Sequence, residues 1–86
     1  MRQDREKDKI LLEKVQTEVR KATIEKIVQI RKEKKITQQE LAERTGILRP
    51  NIARMESGNY NPTIDMLVRL ADGLGMDVDI QLLPRE

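Results

Sequence analysis

The second half of this chain contains residue patterns that begin and end short helices. Thr37-Gln-Gln-Glu40 has the pattern of a capping box, in which the Thr37 hydroxyl accepts from the Glu40 amide and the Glu40 carboxylate accepts from the Thr37 amide. Gly46 predicts the end of this helix, because glycine adopts the left-handed conformation without a Cβ penalty. A second helix is predicted from about Arg49 to Glu56. The spacing therefore predicts two short helices joined by a tight turn.

Helical periodicity extends to both sides of this pair. From about Asp4 to Lys34, apolar residues recur at helical spacing, either in one helix or in two that break near Lys21. After a loop rich in turn formers, Thr63 can cap a further helix to about Leu74, with Gly73 predicting a frayed last turn. Residues 77–83 alternate polar and apolar side chains, which predicts a short β-strand.

The composition restricts the class of protein. Eighty-six residues allow one core, and a chain that is 37% charged, with Tyr60 as its one aromatic residue, favours packed helices. Cysteine and histidine are absent, which removes disulfides, the usual zinc ligands and the commonest general base. We therefore expect no enzyme, no cofactor and no metal. The charged N-terminus and the lack of a bilayer-length apolar run predict a cytoplasmic protein with no membrane partner.

Charge is unevenly distributed along the chain. Residues 26–62 carry eight Lys/Arg against four acids, whereas residues 63–86 carry two against five. The middle of the chain would attract a polyanion and the tail would repel one. A solvated charged surface explains the same distribution.

Several dissimilar residues fall at spacings typical of one family. The segment RKEKKITQQELAERTGI, which begins at Arg31, is followed by IARMESG and then by NPT. In these motifs the chain resembles the repressor/Cro (XRE-type) helix-turn-helix family, over about residues 24–75. The resemblance implies a five-helix DNA-binding domain of a homodimeric transcriptional regulator, here with an extra N-terminal helix and a C-terminal strand. It implies an N-terminal extension at 1–21, the DNA-binding domain at 22–75 and a dimerisation tail at 76–86.

The resemblance places the second short helix in the major groove of double-stranded DNA. Arg49, Pro50, Asn51 and Arg54 would face the bases, since arginine pairs with guanine and asparagine with adenine through two hydrogen bonds each. For Arg54 a phosphate contact is the alternative. The family often has Ser or Thr at the N-cap of this helix where the chain has Leu48, so the base preference of relatives does not carry over. Leu48 or Pro50 could contact a thymine methyl group instead.

Residues around this helix would contact the DNA backbone or hold the fold together. Gln38 matches a phosphate-contacting position of the family, and Tyr60 either donates to a phosphate or covers the edge of the core. Arg31 and Glu56 would form an ion pair, either semi-buried or exposed to solvent. The predicted backbone contacts are Gln38, Thr37, Asn59, Tyr60, Asn61 and Lys35.

The flanking segments suggest protein partners. A strand at 77–83 could pair with its symmetry mate, which would set two recognition helices roughly 34 Å apart on a palindromic operator. The flanks also resemble those of HigA-type antitoxins, which bind a ribonuclease toxin and repress their own promoter, although a plain repressor could carry them too. Neutralising a toxin could even be the main role. The N-terminal helix would join the dimer, hold the toxin or cover its own core. The predicted dimer interface is Met66, Leu70, Val78, Ile80 and Leu82.

Overall fold

The computed structural model describes residues 5–85, with side chains from residue 8 onward, and the regular secondary structure of this part is helical. The predicted all-α class is therefore confirmed. The N-terminal extension was predicted from residue 1, and its residues 1–4 lie outside the described part, as does Glu86. In chain order the helices are α1 (Arg5–Glu33), α2 (Gln38–Thr45), α3 (Arg49–Glu56) and α4 (Ile64–Gly73).

The long helix α1 is continuous through Lys21, where the sequence left a break open. No glycine or proline interrupts residues 5–33, so nothing in the sequence forces the helix to end there. It ends at Glu33. In the turn that follows, Lys35 has a left-handed φ of 57°, and the Ile36 amide donates to the Arg31 carbonyl over 3.0 Å. The boundary drawn between residues 21 and 22 falls inside this helix.

The short helices α2 and α3 begin and end where the sequence predicts. The Thr37 hydroxyl accepts from the Glu40 amide over 3.0 Å, and the Thr37 amide donates to the Glu40 carboxylate over 3.3 Å. Gly46 ends α2 in the left-handed conformation, with φ of 75°. Leu48 precedes α3 without a capping side chain, and Pro50 occupies its first turn, where a missing amide is tolerated.

All four helices contribute to a single core of aliphatic side chains. Leu41, Ile52 and Leu70, which lie on α2, α3 and α4, are fully buried. Ile36 packs into the same core and so anchors the turn that ends α1. The complete buried cluster is Ile24, Ile27, Ile36, Leu41, Ala42, Ile47, Ile52, Met55, Met66, Leu70 and Leu74.

The prediction of a five-helix domain with an extra N-terminal helix and a C-terminal strand is wrong. The described residues form four helices, because the extension and the first helix of the domain are one helix, α1. Residues 76–85 form neither a helix nor a strand. A lone strand needs a neighbour for its backbone N–H and C=O groups, and the described part of the chain offers none. Alternation of side chains was therefore not sufficient to form a strand.

Two residues of the predicted dimer interface lie in the core of the monomer. Met66 is 8% exposed and Leu70 is fully buried, so they do not form a surplus surface strip. Helix α4 packs against α2 with Met66, Leu70 and Ala71 buried, whereas Ile64 and Val68 remain 60% and 48% exposed. The other three members, Val78, Ile80 and Leu82, are exposed in the C-terminal segment.

Candidate nucleic-acid interface

Helix α3 has one face in the core and one face in solvent. Ile52 and Met55 are fully buried and fix the rotation of the helix about its axis. On the opposite side, Arg49, Pro50 and Arg54 are exposed. At 100° per residue, these three side chains lie within about 140° of the helix circumference. The structure thus presents two arginines on one rigid, outward-facing surface.

A semi-buried ion pair ties α3 to α1. Arg31 Nη2 lies 2.7 Å from Glu56 Oε1, and Arg31 Nε donates to Glu56 Oε2 over 2.8 Å. The two side chains are 10% and 9% exposed. Arg31 also donates from Nη1 to the Ile36 carbonyl over 2.9 Å. This bidentate geometry is the arrangement in which arginine binds a carboxylate most specifically, and it fixes the C-terminal end of α3.

Gln38 completes this network from the N-terminus of α2. Its Nε2 donates to Glu56 Oε1 over 3.0 Å, so in the free protein the amide of this predicted phosphate contact is turned toward Glu56. Gln38 also lines a shallow recess together with Thr37 and Arg49. The structure thus brings the start of α2 next to the start of α3. A phosphate at this recess would meet side chains of both helices.

The other flank of α3 carries a second cluster of predicted site residues. Arg54 Nη2 donates to Asn51 Oδ1 one turn earlier. The guanidinium carbon of Arg54 lies 5.9 Å from the centroid of the Tyr60 ring. Tyr60 itself is half-buried against the core, and its ring therefore covers the edge of the core, as one of the two sequence alternatives proposed. Asn51 is half-buried, whereas Arg54 remains exposed.

The remaining predicted backbone contacts are dispersed. Asn59 is exposed and donates to the Ser57 hydroxyl over 3.4 Å, beside the end of α3. Asn61 instead lines a groove with Val15 and Arg20 of α1, away from the cluster around Tyr60. Lys35 is exposed at the turn that ends α1. The structure therefore does not unite the loop residues 59–61 on one surface.

Two residues near the interface were missed by the sequence reasoning. Gln39 is exposed and lines the recess next to Gln38 and Arg49. Gln39 directly follows Gln38 at the start of α2, and this adjacency could have identified it from the sequence. Ala53 lies between Arg49 and Arg54 on the outward face of α3, where its small side chain lets the helix backbone approach a partner closely.

Within the described residues, neither a metal site nor a membrane span accompanies this surface. No three His, Cys, Asp or Glu residues cluster as a metal site would require. No helix in this part of the chain combines the length and apolarity of a bilayer-crossing segment.

Comparison with known proteins identifies the family of this chain. The sequence model of the family described as helix-turn-helix matches residues 27–81, which include all of α2, α3 and α4. The chain belongs to the helix-turn-helix family. This family consists of DNA-binding transcriptional regulators and not of enzymes, so the exposed face of α3 belongs to a DNA-binding regulator.

The matching relatives carry regulator names. An uncharacterised HTH-type transcriptional regulator of Methanothermobacter thermautotrophicus is 45% identical over 47 residues, 55% of this chain and 68% of the relative. The immunity repressor protein of Bacillus phage phi105 is 41% identical over 54 residues, 63% of this chain and 38% of the repressor. An uncharacterised HTH-type regulator of Haemophilus influenzae is 32% identical over 65 residues, 76% of this chain and 66% of the relative. The chain thus spans well under half of the phage repressor. No solved structure gives a significant match.

Proposed function

We propose that this helix-turn-helix protein is a sequence-specific transcriptional repressor that reads the major groove of double-stranded DNA with α3. The observation that carries this proposal is the exposed pair Arg49 and Arg54 on the outward face of a helix whose other face is fully buried. A major groove admits one α-helix, and arginine is the side chain that most often reads guanine there. Pro50 lies between the two arginines in sequence and Leu48 is 70% exposed at the helix start, so both offer apolar atoms to thymine methyl groups.

Backbone contacts on either side of α3 would fix its register in the groove. Thr37 and Gln38 lie at the N-terminus of α2, in the recess that Arg49 also lines. Amide groups at a helix N-terminus favour phosphate, and a Gln38 side chain released from Glu56 could donate to one. Asn59 beside the other end of α3 and Lys35 after α1 would add contacts that carry no sequence information. The eight basic residues within 26–62 support this assignment.

Replacing Arg49 with alanine tests the proposal. We expect binding to the preferred duplex, selected from a randomised library with the wild-type protein, to weaken by about 1–3 kcal/mol, because one bidentate base contact is lost. Preference should relax at one base pair. The measurement is the Kd for the selected duplex and for a random duplex at the same salt concentration.

The matched control is Arg20→Ala, which removes the same charge from α1 and from a different groove. Its effect on both duplexes should be small and equal. If Arg49→Ala weakened both duplexes equally, Arg49 would be a phosphate contact, and base reading by this residue would be refuted.

The repressor assignment, as distinct from activation, is supported by the similarity to the phage immunity repressor, which is 41% identical in the matched region. A bound regulator represses when its operator overlaps the promoter. We therefore expect a reporter driven by the promoter that contains the selected site to be silenced by the wild-type protein and released by Arg49→Ala.

We further propose that the protein acts as a homodimer on a palindromic operator. Val78, Ile80 and Leu82 are 40%, 56% and 95% exposed, and burial against a second copy would remove this apolar surface from water. Deleting residues 77–86 should therefore yield monomers in analytical ultracentrifugation, with α1–α4 intact by circular dichroism. Asp79→Asn in the full chain is the control and should leave the dimer in place. A truncated protein that still sediments as a dimer would exclude the tail as the interface.

Binding of a protein partner is the second candidate function, and the N-terminal half of α1 favours it. Leu12, Val15 and Val19 are 53%, 51% and 61% exposed, so at least half of each of these apolar side chains lies in solvent. An exposed apolar stripe of this kind is typical of a docking surface. In the antitoxin form of the proposal, a ribonuclease toxin binds there. Co-purification with the product of an adjoining reading frame, lost in Val15→Asp while DNA binding persists, would support it.

A further inference from the structure

The guanidinium of Arg54 is held from two directions in the free protein. Tyr60 lies below it, with the ring centroid 5.9 Å from the guanidinium carbon, and Asn51 accepts a hydrogen bond from Nη2. An aromatic ring within about 6 Å attracts a guanidinium toward its face, and a hydrogen bond from Nη2 restrains the rotation of the group. An exposed arginine with both restraints has far less conformational freedom than one that extends into solvent.

Both supports are themselves anchored. Tyr60 is half-buried and packs against the core, so its ring has a fixed position. Asn51 lies on α3 three residues before Arg54 and is also half-buried. The two supports and Arg54 therefore move as one unit with the recognition helix, although Tyr60 belongs to the loop between α3 and α4.

We propose that Tyr60 is a specificity-determining positioning residue, which holds Arg54 ready to read a base through the face of its ring. Two parallel hydrogen bonds to guanine require a defined orientation of the guanidinium, so a guanidinium that is already restrained loses less conformational freedom when it binds guanine. The proposal rests on the DNA-binding function proposed above. It replaces the phosphate donation that the sequence suggested for the Tyr60 hydroxyl.

The same geometry changes the role of Asn51. An asparagine that pairs with adenine uses its Oδ1 as acceptor and its Nδ2 as donor. In this structure Oδ1 already accepts from Arg54. In the free protein Asn51 thus supports Arg54, and reading adenine through Oδ1 would require this hydrogen bond to break.

Two substitutions of Tyr60 separate the ring from the hydroxyl. Tyr60→Phe retains the aromatic face and removes the donor, whereas Tyr60→Leu retains apolar packing and removes the face. We expect Tyr60→Phe to bind the selected duplex within about twofold of wild type, and Tyr60→Leu to lose about fivefold on the selected duplex and little on a random duplex. The base pair at which Tyr60→Leu relaxes preference should be the one that Arg54→Ala relaxes.

A double-mutant cycle with Arg54→Ala excludes a merely structural effect. In the Arg54→Ala background, Tyr60→Leu should cause no further loss of affinity for the selected duplex, because the Tyr60 ring then has no guanidinium to position. An equal loss in both backgrounds would overturn the inference, as would a Tyr60→Phe variant as weak as Tyr60→Leu on both duplexes. The second outcome would instead identify the hydroxyl as a phosphate donor.

A measurement without DNA distinguishes this inference from the proposed function. In the free wild-type protein and in Tyr60→Phe, ring currents should shift the Arg54 Hδ resonances upfield, and Tyr60→Leu should abolish that shift. Unshifted Arg54 resonances in the wild type would show that the Tyr60 ring does not hold the Arg54 guanidinium. This result would overturn the inference whether or not the protein binds DNA. Shifted resonances in a protein that selects no sequence from the library would confirm the contact between Tyr60 and Arg54. They would nevertheless overturn both the proposed function and the role of Arg54 in reading a base.

Discussion

Glu56→Ala is expected to lower the free energy of unfolding by about 3–5 kcal/mol, because it leaves the Arg31 guanidinium buried without its carboxylate. Arg31 is 10% exposed at its side chain, and two of its three hydrogen bonds go to Glu56. Gln38 loses a partner at the same time. A domain of this size is stabilised by only about 5–15 kcal/mol in total, so the loss is a large fraction. Urea denaturation followed by circular dichroism measures it.

Two further variants show whether the loss comes from the unpaired charge. Glu25→Ala removes an exposed carboxylate from α1 and should change stability by less than about 0.5 kcal/mol. The double variant Arg31→Met/Glu56→Leu should recover most of the stability, since replacing a buried pair by apolar residues of similar size is often neutral. If Glu56→Ala behaved like Glu25→Ala, the pair would contribute no more than a surface salt bridge.

Gly73→Ala is expected to destabilise the protein by about 2–3 kcal/mol, although alanine is the better helix former by about 1 kcal/mol. A Cβ at residue 73 would lie 2.6 Å from Thr45 Cγ2 and 3.0 Å from Leu41 Cδ1. Both atoms belong to α2, so the contact fixes how closely α2 and α4 pack. Overpacking at this position must push the two helices apart or force side chains out of their preferred rotamers.

The matched variant for this prediction is Asp72→Ala, one residue earlier in α4 and exposed. It should be neutral or slightly stabilising, because it gains helix propensity without a steric contact. Thermal denaturation of both variants compares the two effects directly. A Tm for Gly73→Ala at or above that of the wild type would show that α2 yields to the extra methyl group at little cost.

Local sequence signals predicted most of the helix boundaries. The capping box at Thr37, the left-handed Gly46 and the cap at Thr63 each depend on groups within a few residues of one another, and all three are present. Such signals reflect backbone hydrogen bonding, which the sequence specifies locally. The exposure of Arg49 and Arg54 follows from the same source, because two apolar residues on α3 determine which face turns inward.

Signals that depend on distant partners were misread or left open. Alternation over 77–83 predicted a strand, but a strand exists through its neighbour, and residues 76–85 form none. Gly73 predicted a frayed helix end, whereas Leu74 beside it is 2% exposed and Arg44 donates to the Gly73 carbonyl over 3.3 Å. Met66 was assigned to a surface that α4 buries. In each case the sequence did not show which residues pack against or pair with the position in the folded protein.

The sequence by itself determined four short-range features of this protein: its helical class, the limits of α2 and α3, the start of α4 and the outward arginines of α3. Tertiary structure alone decided how these elements combine. It added Gln38 to the Arg31–Glu56 pair in one semi-buried network and placed Tyr60, from the loop after α3, next to the Arg54 guanidinium. The physical reason is that caps and amphipathic faces arise within one or two helical turns. Ion pairs between helices, contacts between an aromatic ring and a guanidinium, and close helix packing instead require atoms that only folding brings together.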